Sequence, residues 1–63
     1  MEIIEIIKDE IEQYNKITIR KNEELKESKD ELQKEILMAQ IEANISIIVA
    51  LTSILRKIEK VIK

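Results

Sequence analysis

The chain has 63 residues, 38% of them charged, a net charge of −2, and no cysteine, histidine, glycine, proline, tryptophan or phenylalanine. Without cysteine or histidine there is no disulfide and no ordinary zinc site. Without glycine or proline the tight turns of a sheet lack their usual residues. An all-α chain of one domain, residues 1–63, is the reading that is left. Chains below ~70–80 residues seldom build a sufficient core alone, and with staples excluded self-association is the common remedy. Isoleucine is abundant although β-branched residues are mildly disfavoured in helices, so burial is the reason for most of it. The Ile, Lys and Glu bias fits a hot habitat or an AT-rich genome. The start MEIIEIIKDE is acidic and has no basic leader segment, so a cytoplasmic location is expected.

The first element is a helix over about residues 2–26. At ~100° per residue, Ile3, Ile4, Ile7, Ile11, Tyr14, Thr18 and Leu25 share one face. Glu5, Lys8, Asp9, Glu12, Lys16, Arg20 and Glu23 share the other. Tyr14 reads as a core aromatic whose hydroxyl reaches the rim.

A turn is expected at about residues 26–29. The first stripe keeps a heptad phase through residues 4, 11, 18, 25 and 32, and the second runs through 41, 48, 55 and 62, two residues off. One straight coiled coil would keep a single phase. Ser28-Lys29-Asp30-Glu31 has the capping-box form S-x-x-E, which would make Ser28 the cap of a second helix. The competing reading is one continuous helix of about 90 Å at 1.5 Å per residue, and the missing turn glycine is the argument for it.

The second helix, about residues 29–62, carries Ile36, Leu37, Ile41, Ala43, Ile47, Ile48, Leu51, Ile54, Leu55, Ile58, Val61 and Ile62. This arc is too broad for one neighbour. Residues 36–55 have the length of a membrane span, but Gln40, Glu42 and Asn44 interrupt them and Ile45–Leu55 is too short to cross. Surface binding to a membrane would want a basic polar face with Trp or Phe opposite. Membrane association is therefore not expected.

Two antiparallel hairpins packed as a homodimeric four-helix bundle would cover all the stripes. An acidic start (Glu2, Glu5, Asp9, Glu10, Glu12) beside a basic tail (Arg56, Lys57, Lys60, Lys63) favours the antiparallel hairpin. The expected core and dimer interface is Ile4, Ile7, Ile11, Tyr14, Leu25, Leu37, Ile41, Asn44, Ile48, Leu51, Leu55, Ile58 and Ile62. Gln40 and Asn44 lie one turn apart on the apolar face. Either their amides reach water at its edge, or they pair across the dimer axis and fix register.

No catalytic residue, metal site or cofactor is indicated. Acid pairs such as Asp9-Glu10 and Glu23-Glu24 read as solubilising charges, and the Glu-x-x-His motif of carboxylate-bridged metal bundles is absent. Nucleic-acid binding would rest on Lys16, Arg20 and Lys21 or on the basic tail. Acidic neighbours and the lack of stacking aromatics weigh against it. The leading expectation is a non-enzymatic dimeric adaptor or regulatory protein. Met38, Ile45 and Val49, seven and four residues apart on one outer face, form its candidate docking patch for an unidentified protein partner. The alternative is that a wider core engulfs them.

The start MEIIEIIKDEIEQYNKI, the length and the inferred dimer of hairpins resemble a small protein of archaeal spindle-shaped viruses (fuselloviruses). That resemblance implies an accessory viral protein without enzymatic activity, working in the host cytoplasm. In architecture and size the chain is also similar to the repressor-of-primer hairpins, which bind paired RNA loops. That likeness implies a nucleic-acid-binding regulator as the alternative function. The chain departs from the pattern of those hairpins, because its exposed first-helix face is mostly acidic and has no aromatic.

Overall fold

In a computed structural model that describes residues 2–62, the chain is a helical hairpin. Helix α1 (Glu2–Glu27) and helix α2 (Glu31–Ile62) pack against each other across a three-residue turn. The molecule measures 49 × 14 × 11 Å. The long dimension is that of α2 alone, since its 32 residues at ~1.5 Å each span about 48 Å. The single continuous helix is thereby ruled out, and the phase slip falls at residues 28–30.

The turn lies slightly later than the sequence suggests, and its cap is a different residue. The Ser28 N–H still donates to the Glu24 carbonyl at 2.9 Å, so the α1 ladder runs on into the turn. The Leu32 N–H donates to Asp30 Oδ1 at 3.0 Å, and the Lys34 N–H to the Asp30 carbonyl at 3.0 Å. Asp30 is therefore the N-cap of α2, not Ser28, and the helix begins at Glu31 instead of residue 29. A carboxylate is the stronger acceptor at a helix N-terminus and also suits the dipole. The Ser28 hydroxyl makes only long contacts, to the Asp30 carbonyl at 3.4 Å and to Gln33 Oε1 at 3.5 Å. No described residue has positive φ, so this turn has no need of glycine. Replacing Asp30 by alanine is expected to lower stability by about 0.5–2 kcal/mol, read as a shift in the urea midpoint. Ser28→Ala is expected to do less, and the reverse order would return the cap to Ser28.

Each helix turns one row of side chains inward. On α1 the row is Ile4, Ile7, Ile11, Tyr14, Thr18, Lys21 and Leu25, at alternating steps of three and four. On α2 it is Lys34, Leu37, Ile41, Asn44, Ile48, Leu51, Leu55 and Ile58; all of these residues are at least half-buried. Leu37 is 4% exposed, Ile41 8% and Thr18 9%, and these three are the buried residues of the hairpin. Thr18 is tolerated there because its hydroxyl donates to the Tyr14 carbonyl one turn back, at 2.7 Å. Ile62, expected in the core or dimer interface, lies outside the inner row of the hairpin and is 47% exposed. Helix α1 has 26 residues against 32, so the last turn of α2 extends past the start of α1 and has no neighbour.

Polar contacts between the helices are sparse. Lys21 Nζ donates to Gln40 Oε1 at 2.9 Å, which uses the Gln40 amide within the hairpin, while Asn44 sits half-buried on the inner row. Among the described residues both ion pairs, Lys16–Glu12 and Lys34–Glu31, join neighbours on one helix. The acidic start and basic tail are thus not joined by an ion pair there. Lys63 of the tail lies outside the described residues.

Candidate interaction surfaces

The hairpin leaves many of its large apolar side chains in water. Thirteen large apolar side chains are exposed while Leu37 and Ile41 are the buried ones. The accessible surface is 5142 Å². A compact monomer of 7.4 kDa would expose about 4200 Å², so roughly 900 Å² is in excess. A standard protein interface covers about 800 Å² on each partner.

The broad stripe of α2 resolves into two rows. The inner row faces α1. An outer row runs one residue behind it, through Ile36, Gln40, Ala43, Ile47, Ala50, Ile54, Lys57 and Val61, and all eight are exposed. A one-residue offset is a rotation of ~100° about the helix axis, so the outer row points to the side of the hairpin and not away from it. The flanking positions of α1 that precede its own inner row are Ile3, Ile6, Glu10, Gln13, Ile17, Arg20 and Glu24. Two antiparallel helices with their inner rows together are related by a pseudo-two-fold axis normal to the plane of the pair. Equivalent flanks therefore lie on the same side, and Ile3, Ile6 and Ile17 share a face with the outer row of α2.

The opposite side holds Met38, Ile45 and Val49, which are 51%, 48% and 62% exposed. They are not engulfed by the hairpin core. Glu42 and Arg56 lie along the same flank, and the facing flank of α1 carries Lys8, Glu12, Asn15 and Asn22 with the exposed Ile19 among them. Nearer the tail, Val49, Thr52 and Ser53 line a shallow open groove edged by Arg56, Lys57 and Lys60. A second open groove at the start of α1 is mostly acidic, with Glu2, Glu5, Asp9 and Glu12 beside Lys8 and Ile6.

Of the thirteen expected core and interface residues, twelve lie on the inner rows of the hairpin, and Ile62 does not. Thr18, Lys21 and Lys34 of the inner rows were absent from that set, and Thr18 is the buried one of the three. The place of Thr18 on the series 4, 11, 18, 25 was the available signal, masked by its polar hydroxyl. No group of three His, Cys, Asp or Glu side chains converges on a metal position among the described residues, and the acid pairs Asp9-Glu10 and Glu23-Glu24 are exposed.

Helix α2 is also long and apolar enough to cross a membrane. Gln40, Glu42 and Asn44 do not dilute it below that level, because only Glu42 among residues 36–55 is charged. Comparison with known proteins finds no matching family model, no matching curated protein and no matching solved structure.

Proposed function

We propose that the chain is a non-enzymatic protein-interaction module. It pairs with a second copy as a four-helix bundle and presents Met38, Ile45 and Val49 twice to a protein partner. The observation that carries this reading is the balance of burial: thirteen large apolar side chains exposed against two buried. Large uncovered apolar patches mark surfaces that another molecule covers. A two-fold dimer doubles whatever lies outside its own interface, and two copies of one patch suit the bridging of two copies of a partner. An adaptor or regulatory accessory protein of the cytoplasm is the role that follows. The resemblance to spindle-shaped-virus proteins supports a viral setting, and the Ile, Lys and Glu bias fits a hot habitat or an AT-rich genome alike.

The test is the double variant Ile45→Glu with Val49→Glu. Solution mass and helicity are expected to be unchanged, while capture of a protein partner by the immobilised dimer is lost. Collapse of helicity would instead place both residues in a core and end the adaptor reading.

The groove edged by Arg56, Lys57 and Lys60 favours one second reading, a nucleic-acid-binding regulator of the repressor-of-primer type. Tyr14, the one aromatic residue, is half-buried on the inner row, so it offers no stacking platform. A nucleic-acid affinity that falls steeply with salt, and is lost on replacing Arg56 and Lys60, would decide for this reading.

A further inference from the structure

We infer that the outer row of α2 is a self-complementary surface that docks the same row of a second copy, antiparallel, about a two-fold axis between Ile48 and Val49. This rests on the dimer reading above and specifies the face, the direction and the register of the pairing.

The row has an internal mirror. Aligned antiparallel about that axis, Ile47 of one copy meets Ala50 of the other, and Ala43 meets Ile54. Each large side chain faces a small one, which allows close helix approach without voids. Next along, Gln40 meets Lys57. The Gln40 amide oxygen already accepts from Lys21 at 2.9 Å and has a second lone pair for Lys57. At the ends Ile36 meets Val61. A parallel pairing fails on the same residues: Ala43 and Ala50 would face themselves and leave gaps, and Lys57 would face Lys57.

Three further observations fit the same axis. First, the outer row lies ~100° from the inner row, near the right angle between the two neighbours of a helix in a square four-helix bundle. Second, the Lys21–Gln40 bond sets residue i of α1 beside about 61 − i of α2, so the axis falls near residue 12 of α1. About one residue from that point Ile6 meets Ile17 of the partner, Glu10 meets Gln13 and Ile3 meets Arg20, so no like charges face each other on the axis. Third, antiparallel hairpins bring Lys57 and Lys60 toward the turn-proximal segment of the partner, whose residues 21–35 carry six carboxylates against four lysines. The excess accessible surface of the hairpin is also of the size that one side of a standard interface covers.

The chain has no cysteine, so the geometry can be read by disulfide trapping. Single variants Ala43→Cys and Ile54→Cys are unfolded together, refolded as a mixture and oxidised. Both positions are exposed on the hairpin, so neither change disturbs its inner rows. The expected product is the mixed 43–54 disulfide, with neither variant linking to itself, because a disulfide needs Cα atoms about 4.4–6.8 Å apart. Self-linked products of each variant would mean a parallel pairing and overturn the inference. No link, with light scattering still giving the mass of two chains, would move the dimer to another face and overturn the inference while leaving the dimer reading standing. A single-chain mass at every concentration would overturn both. Single chains that float with phosphatidylcholine vesicles would assign the outer row to lipid and likewise overturn both.

Discussion

Replacing Leu37 by alanine is expected to remove about 2–5 kcal/mol of stability, the usual cost of emptying a buried leucine site. Leu37 is the least exposed residue of the hairpin, at 4%, and only Ile41 and Thr18 join it as buried. A chain of 63 residues has a total stability of roughly 3–9 kcal/mol at 0.05–0.15 kcal/mol per residue. The substitution therefore consumes a large share of what holds the fold. The measurement is urea denaturation followed by circular dichroism, with Ile19→Ala as control. Ile19 is exposed on the polar side of α1, and its loss is expected to stay within about 0.5 kcal/mol. Equal effects at the two positions would mean that the inner rows do not hold the hairpin together.

The same contrast shows which parts of the fold were legible in the sequence. The inner rows were, because steps of three and four on Ile4, Ile7, Ile11 and Tyr14, and on Leu37, Ile41, Asn44 and Ile48, can serve only a helix face. The place of the turn was legible to within two residues, because the phase slip marks the charged stretch 21–35 and capping residues narrow it further. Its cap was not, because Ser28-x-x-Glu31 and Asp30-x-x-Gln33 both have a capping form and overlap. Only the backbone geometry decides which oxygen reaches an amide, and it is Asp30 Oδ1. The exposure of Ile62 was hidden for another reason. It depends on the difference in length between the two helices, which is fixed only once both ends of the turn are known. Gln40 and Asn44 looked like a pair at one turn's spacing. They belong to different rows, one exposed beside Lys21 and the other half-buried against α1.

The surfaces show a subtler limit of the pattern. A wheel drawn for α2 alone gives one wide apolar arc. The arc becomes two separate rows only when α1 is seated on one of them, since the partner helix defines what counts as inside. The row that α1 leaves open has a different composition from the row it covers. The inner row is built from Leu and Ile, while the outer row alternates Ile with Ala. Large residues fit a partner helix whose row has gaps to receive them, and small residues fit one that comes close. Alternation serves both ends when the partner is the same row reversed. Met38, Ile45 and Val49 lack this alternation and are followed on their flank by Arg56, which suits a partner of different sequence.

Ile47→Glu is expected to separate the two copies. In the antiparallel pairing residue 47 lies beside the two-fold axis, against Ala50 of the partner. The substitution then sets a carboxylate in the driest part of the interface, and symmetry repeats it. An unpaired charge in a covered site costs about 3–5 kcal/mol. Each 1.4 kcal/mol is about a tenfold change in affinity, so the dimer weakens by at least about a hundredfold. Light scattering across a dilution series is expected to show one chain where the parent shows two. Helicity will fall with it, because in a lone hairpin only Leu37, Ile41 and Thr18 are buried and the rest of the inner rows stay partly wet. The informative comparison is Val49→Glu alone, only two residues away and more exposed, at 62% against 37% for Ile47. On the other side of the hairpin this change should leave the dimer intact. If Val49→Glu dissociates the protein and Ile47→Glu does not, the two sides of the hairpin exchange roles. The Met38, Ile45 and Val49 side would then be the dimer interface and the alternating row the one open to a partner.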